Sequence, residues 1–166
     1  EKGNPNNFKL PRPMINRKNA DFSLSGLKTA LFRLAEKQTL NSKTKSDLAA
    51  SFQLAVADIL EDRCKNGLNI TKEINSKCTN FIVAGGVAAN KVIRKRLKDL
   101  SERYGFNIFY PPIEICTDNA AMIAWNGIEK ISHYGIKNVD DYNFEPRTRW
   151  PLDPDAKAIR NAKEAR

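Results

Sequence analysis

The sequence has few of the residues that metal and disulfide sites need. Among its 166 residues there is one histidine, His133, and three widely separated cysteines, and no CxxC pair occurs. This count and spacing exclude a disulfide framework and a zinc knuckle, and they favour a reducing compartment. HExxH and GxSxG are also absent from the sequence. The hydrolase classes that depend on those motifs are therefore excluded.

Long apolar runs are missing as well. No stretch approaches the ~20 residues that cross a bilayer, and no signal-peptide pattern opens the chain. We therefore expect no membrane contact and a cytoplasmic location. Positive charge is in excess, with a formal net charge of +9. That excess favours an anionic partner, nucleic acid before membrane, and a lysine-rich solvated surface remains the alternative.

The hydrophobic pattern divides the chain. Residues 1–20 are rich in proline and asparagine and predict an extended connector. After them the pattern predicts the order helix, helix, strand, helix, strand, helix, in an α/β arrangement. These strands are too few for a complete doubly wound sheet, so we expect more strands upstream. Residues 154–166 form a charged tail.

The pattern also predicts helix ends and buried faces. The first helix, after Gly26, is expected to carry one apolar face, and the second to run from about Ser46 to Cys64. The apolar face of the first helix consists of Leu27, Ala30, Leu31 and Leu34. Gly67 is suited to a left-handed cap and is expected to end that second helix. The last helix is expected to end near Gly135 and to bury three side chains, those of Ala121, Trp125 and Ile128.

The most informative segment runs from Phe81 to Asn90. Its unbroken apolar start predicts a strand buried on both faces, and the glycine pair Gly85-Gly86 then allows a sharp turn and a close approach. The helix behind it is expected to offer free N–H groups to an anion. Asn90, four residues after Gly86, is expected one turn into that helix, placed to hydrogen-bond a nucleotide. An ordinary strand-to-helix turn with a solvated asparagine is the alternative.

Asp118 stands beside Thr117 where the last helix is predicted to start. A carboxylate there is favoured as a cap by the helix dipole. The functional alternative is a metal ligand or a charge that orients a nucleophile, and a metal needs more ligands than one aspartate. His133 lies in a polar setting and is expected on the surface, so further ligands would have to come from outside this sequence.

Two sets of polar residues on the predicted helices could have either a structural or a binding role. A basic stripe at i, i+3, i+4, i+7 spacing is commonly a solvated face, and phosphate contact with a nucleic acid is the alternative. Ser25 and Lys28 lie at another helix start, where they cap or line a polar pocket. The stripe consists of Lys91, Arg94, Lys95 and Lys98.

Five segments, in this order, together resemble the universal tRNA threonylcarbamoyladenosine transferases, formerly called O-sialoglycoprotein endopeptidases. The resemblance runs from about Leu10 to Asp153 and covers only the C-terminal half of such a protein. The last of the five segments is similar to the bacterial and organellar branch of the family. The segments are Phe22–Ala30, Asp47–Gln53, Val83–Asn90, Cys116–Ala124 and Arg149–Asp153.

The resemblance implies a fold and an activity. It implies that residues 21–153 form the C-terminal lobe of a two-lobed, actin-like and sugar-kinase-like (ribonuclease H-like) ATPase fold with additional helices. Members of the family transfer a threonylcarbamoyl group from threonylcarbamoyl-adenylate to the N6 atom of the adenosine next to the tRNA anticodon. The implied partners are tRNA, the missing N-terminal lobe and the protein subunits of the complex that forms the modified base.

The resemblance also implies site residues. Asn90, beside Gly85 and Gly86, matches the asparagine that binds the adenylate. Asp118 matches the aspartate that holds one divalent metal ion, iron or zinc, together with two histidines of the first half. That HxxxH pair is absent here, so we expect the chain alone to be inactive. Two other functions stay open: an ATPase or sugar kinase of the same superfamily, and a non-enzymatic lobe that docks a partner subunit or tRNA.

Overall fold

The order of helices and strands is the one that the sequence pattern predicts. The computed structural model describes residues 3–138, 143 and 145. The chain divides into two compact units, Glu1–Asn119 and Ala120–Arg166. The elements are α1 (Leu27–Glu36), α2 (Ser42–Ile74), β1 (Asn80–Ile82), α3 (Lys91–Tyr104), β2 (Asn107–Phe109) and α4 (Ala120–Tyr134), with 3₁₀ turns at Gly86–Ala89, Ile113–Ile115 and Ile136–Asn138.

The segments Arg149–Asp153 and 154–166, which carry the last family motif and the predicted tail, lie outside the described residues. Within the described part of the chain, no helix is both long enough and apolar enough to span a membrane.

Helix α2 is longer than predicted at both ends. It begins at Ser42, where the side chain of Asn41 caps it by accepting from the Thr44 N–H at 2.8 Å. It continues through Gly67 to Ile74, so the prediction that Gly67 ends the helix is wrong. The helix continues because Leu68 extends the buried face, and such tertiary packing outweighs the ~1 kcal/mol that a glycine costs inside a helix.

The core of the first unit lies between α2, α3 and one face of the small sheet. α1 packs its apolar face onto the same core, as its periodicity predicts. The buried members of this cluster come from the connector, the three helices α1, α2 and α3, and the residue before β2: Leu10, Leu27, Ala55, Val56, Ala57, Ile59, Leu68, Ile93, Leu97, Leu100 and Phe106.

Strands β1 and β2 are parallel neighbours joined through α3, and Phe81 pairs with Ile108. Those two side chains are partly buried against the core. The neighbouring positions point the other way, and Ile82 and Phe109 are 72% and 52% exposed. The prediction that the first strand is buried on both faces is therefore wrong for this chain, because among the described residues helices cover only one face.

Helix α4 shows a similar difference. Its left-handed end at Gly135 (φ +77°) agrees with the prediction. The predicted burial of Ala121, Trp125 and Ile128 is wrong, since all three are exposed, Trp125 to 65%. The described part of the second unit is α4, the turn after it and residues 143 and 145, and these supply no opposing layer.

The N-terminal connector contains no helix or strand over residues 3–20, as predicted, but it is bound along α2 rather than free. Asp47 anchors its start by accepting from the Asn4 N–H at 2.7 Å and from the Asn7 side chain at 3.1 Å. The Asn4 hydrogen bond is the main cause that lowers the pKa of Asp47 below its ordinary value. The α2 side chains that hold the connector recur at helical spacing: Asp47, Ser51, Asp58, Asp62, Arg63 and Asn66.

Arg63 is the central residue of this attachment, and its side chain is 1% exposed. Its guanidinium donates to the carbonyl of Asn19 at 2.9 Å and to that of Arg17 at 3.0 Å. It also pairs with the carboxylate of Asp62. A buried guanidinium is tolerated only when its donors are satisfied in this way.

We expect Arg63→Met to lower the free energy of unfolding by about 2–4 kcal/mol, because two connector carbonyls and Asp62 lose a charged donor. Urea denaturation measures the change. Arg33→Met, at an exposed arginine of α1, is the matched control and should leave the midpoint within experimental error. Equal midpoints for the two variants would contradict the anchoring role of Arg63.

Candidate functional site

Three of the segments that the sequence singled out meet at one cleft. The cleft has a volume of about 350 Å³. Its walls are mostly apolar, and two amide side chains, of Gln53 and Asn90, are its polar groups. The lining residues are Leu24, Phe52, Gln53, Val56, Gly86, Val87, Asn90 and Ile93. Asn90 and Gly86 both line this cleft, and α2 adds Gln53 and Phe52 to its wall.

The glycine pair leaves its backbone open. Gly85 has φ +88°, a conformation that favours glycine. A Cβ built at either Gly85 or Gly86 would meet no atom within 4 Å. A ligand can therefore approach this turn closely, as the sequence predicts.

Asn90 lies elsewhere than predicted. Residues 86–89 form a 3₁₀ turn, and Asn90 is the N-cap of α3 rather than a residue one turn into it. Its Oδ1 accepts from the backbone N–H groups of Val92 at 3.0 Å and Ile93 at 3.2 Å. Asparagine is among the best capping residues because it satisfies these otherwise free donors. Two N–H groups that a free helix start would offer to an anion are therefore already used.

The same Oδ1 accepts a third hydrogen bond, from Nε2 of Gln53 at 3.2 Å. Gln53 belongs to α2, so this bond connects the cap of α3 to the opposite wall of the cleft. Nothing in the hydrophobic pattern predicts it. The only signal was that Gln53 ends the motif Asp47–Gln53.

Ion pairs keep α2 and α3 in this arrangement. Arg96 of α3 bonds Asp58 at 2.5 Å and Glu61 at 2.7 Å, both on α2. Burial lowers the pKa of Arg96, but the hydrogen bonds to Asp58 and Glu61 more than offset it, so its pKa is raised. Arg103 adds a contact to Glu61 at 2.6 Å.

Arg94 has a structural role that the sequence did not indicate. Its guanidinium donates to the carbonyl of Ala88, to that of Pro111 at 2.8 Å, and to the thiol of Cys116 at 3.1 Å. It also stacks on the ring of Tyr110 at 4.7 Å. Arg94 therefore joins the 3₁₀ turn before Asn90 to the loop that leads to Asp118.

The other members of the basic stripe are exposed. Lys98 lies 3.8 Å from Glu102, and Lys91 and Lys95 extend along the same helix. Phosphate contact stays a prediction for these three lysines. The donors of Arg94 are directed into the protein, which removes it from the exposed stripe.

Asp118 is exposed and lies two residues before α4. With the described residues its carboxylate makes neither a cap hydrogen bond nor an ion pair. Within the same part of the chain, no group of three His, Cys, Asp or Glu side chains is close enough to hold a metal ion. His133 is exposed and lies 3.9 Å from Glu129 on α4, which agrees with its predicted surface position. The described residues therefore do not complete a metal site around Asp118.

Comparison with known proteins identifies relatives of this chain. A family model described as tRNA N6-adenosine threonylcarbamoyltransferase (TsaD) matches residues 1–125. Curated proteins of that name from Rhodospirillum rubrum and Methylocapsa acidiphila are both 46% identical to the chain, over 93% and 97% of its length. One from Wolbachia pipientis wMel is 43% identical over 92% of the chain. The chain spans less than half of these relatives, 43–45% of their length.

We expect Arg94→Met to expose Cys116, which is 4% exposed in the native structure. Losing two carbonyl contacts should cost about 1.5–3 kcal/mol, enough for a tenfold or larger rise in the rate at which a thiol reagent modifies Cys116. Mass spectrometry after timed labelling measures that rate. Lys95→Met, on the exposed stripe of the same helix, is the control. An unchanged rate of Cys116 modification in Arg94→Met would contradict the proposed role of Arg94 in holding the loop around Cys116.

Proposed function

Because this chain belongs to the tRNA N6-adenosine threonylcarbamoyltransferase family, we propose that it is the C-terminal part of an enzyme that modifies tRNA. The full-length enzyme transfers a threonylcarbamoyl group from threonylcarbamoyl-adenylate to N6 of the adenosine next to the anticodon. The observation that carries this proposal is that three family segments form one cleft, with Gly86, Asn90 and Gln53 in its wall. The cytoplasm, where tRNA is at hand, is the location that we propose.

The proposed fold is two-lobed and actin-like, with residues 21–153 in the C-terminal lobe. The parallel pair β1–β2 with its crossover helix supports this proposal. So does the length of the relatives, of which the chain spans 43–45%. The exposed apolar side chains of the sheet, Ile82 and Phe109, are then covered by the upstream half.

The cleft suits an adenylate. Apolar walls from Leu24, Phe52 and Val87 accept a purine ring, and the open Gly85-Gly86 backbone leaves room for the sugar and phosphate. In the proposed reaction, N6 of the tRNA adenosine attacks the carbamoyl carbon. The bond from that carbon to the phosphate oxygen breaks, AMP leaves with the electron pair, and N6 releases one proton to water. The chain's own residues bind and orient the donor, which lowers the entropic part of the barrier.

A divalent metal ion, iron or zinc, would polarise or orient the carbamoyl group. Asp118 would be its ligand from this chain. One exposed carboxylate does not make a site, so the remaining ligands would come from the upstream half. The exposed lysines Lys91, Lys95 and Lys98 are proposed to contact tRNA phosphates, and further protein subunits are proposed to assemble with the full-length enzyme.

Two other functions remain distinguishable by experiment. An ATPase or sugar kinase of the same superfamily would turn over ATP without transfer to tRNA. A non-enzymatic binding lobe is favoured by the incomplete metal site among the described residues. Such a lobe would bind tRNA or a partner without catalysis in any form of the protein.

We expect the chain alone to form no threonylcarbamoyl-modified tRNA, because the described residues supply only one metal ligand. The full-length form, in which this chain follows the upstream half that its relatives possess, should form it. Incubation of each with tRNA, threonylcarbamoyl-adenylate and iron or zinc, followed by nucleoside mass spectrometry, measures the product. Product from the chain alone would contradict the proposal, as would a full-length form that hydrolyses ATP and modifies no tRNA.

Asp118→Asn in the full-length form should lose metal and transfer activity while keeping its fold. Asparagine has nearly the same size and shape as aspartate, so the exposed position should tolerate it, but it lacks the negative charge of a metal ligand. Metal content by elemental analysis and folding by circular dichroism are the measurements. Asp99→Asn, at an exposed aspartate of α3, is the matched control. Full metal occupancy in Asp118→Asn would contradict the ligand role of Asp118.

A further inference from the structure

The orientation of the Asn90 amide is determined by its neighbours. Three donors converge on Oδ1: the N–H groups of Val92 and Ile93, and Nε2 of Gln53. A flipped amide would set its NH₂ group against the two backbone N–H donors, which settles the assignment of oxygen and nitrogen in Asn90 and, with it, that of the Gln53 donor. Nδ2 is therefore the amide atom of Asn90 that is left for a ligand in the cleft.

We propose that Gln53 is a positioning residue that holds the Asn90 amide with Nδ2 available to the ligand, so that the cleft selects a hydrogen-bond acceptor at this point. The identity of the ligand rests on the proposed function, whereas the positioning of Asn90 by Gln53 does not. With an adenylate in the cleft, the group beside Asn90 is a ring nitrogen, a ribose oxygen or a phosphate oxygen. An amino group is rejected there.

The contribution of Gln53 differs from that of the two cap hydrogen bonds. Val92 and Ile93 belong to α3 itself, so they fix Asn90 only with respect to its own helix. Gln53 comes from α2, the helix that also supplies Phe52 and Val56 to the cleft wall. Its hydrogen bond therefore fixes the Asn90 amide with respect to the opposite wall, where the ligand must fit.

This geometry decides which substitutions are informative. Asn90→Ala removes the cap and the ligand donor together, so a loss of binding would have two causes. Asn90→Asp keeps a good cap but replaces the Nδ2 donor with an acceptor. Gln53→Met keeps the approximate length of the side chain and removes its amide, including the Nε2 donor to Asn90. Gln38→Met, at an exposed glutamine after α1, is the matched control.

The first measurement needs no ligand. In the full-length protein with ¹⁵N-labelled asparagine, Gln53→Met should lower the NMR order parameter of the Asn90 side-chain NH₂ group, and Gln38→Met should not. Circular dichroism should show that both variants are folded. An unchanged order parameter in Gln53→Met would overturn the positioning role.

The second measurement is a double-mutant cycle with AMP as the probe, read by calorimetric titration. We expect Asn90→Asp to weaken AMP binding about tenfold or more, and Gln53→Met to weaken it about threefold, as losses of one hydrogen bond. In the Asn90→Asp background, Gln53→Met should have no further effect, because the donor that it positions is gone. A merely structural Gln53 would weaken binding equally in both backgrounds, and that result would overturn the proposal.

The two measurements separate this proposal from the proposed function. A folded full-length wild type that binds no AMP would overturn the acceptor site together with the adenylate function. The NMR comparison would still decide whether Gln53 positions Asn90. Wild-type affinity for AMP in Asn90→Asp would overturn acceptor selection while leaving the transferase proposal intact.

Discussion

The packing of α3 against α2 is the interaction on which the rest of the first unit depends. Val56 and Ile59 on α2 share one buried cluster with Ile93, Leu97 and Leu100 on α3. Each fully buried aliphatic side chain of this kind contributes about 1.5–3 kcal/mol. Arg96 adds hydrogen bonds across the same interface to Asp58 and Glu61. The same two helices position the two strands, the connector and both amides of the cleft.

Local signals account for much of the fold. Apolar periodicity predicts α1 and α3, because each of these helices buries one apolar face against the core. Short apolar runs predict the two strands, which pack one side chain each against the same core. The end of α2 was mispredicted because Gly67 has the local preference of a cap, while the burial of Leu68 decides the outcome. The exposed faces of β1 and α4 were mispredicted for another reason. Their apolar composition suits burial, but the described residues provide no layer that covers them.

The site could be found from the sequence only in part. Glycine chemistry and the asparagine after it located the turn at Gly85-Gly86, and family resemblance singled out Asp118. The roles of Gln53 and Arg94 depend on contacts 37 and 22 residues away along the chain, with Asn90 and Cys116. No periodicity encodes such contacts, so only the folded arrangement of α2, α3 and the loop after β2 reveals them.

We propose that this chain is one part of a larger enzyme, whose remainder covers the exposed side of the sheet. Hydrogen–deuterium exchange of the chain alone and of the full-length form tests this claim most directly. In the chain alone, the amides of α2 and α3 should be protected, while those of β1 and β2 exchange quickly because the two-stranded sheet is marginal by itself. In the full-length form β1 and β2 should become as protected as α3. Equal exchange of the two strands in both forms would contradict the claim.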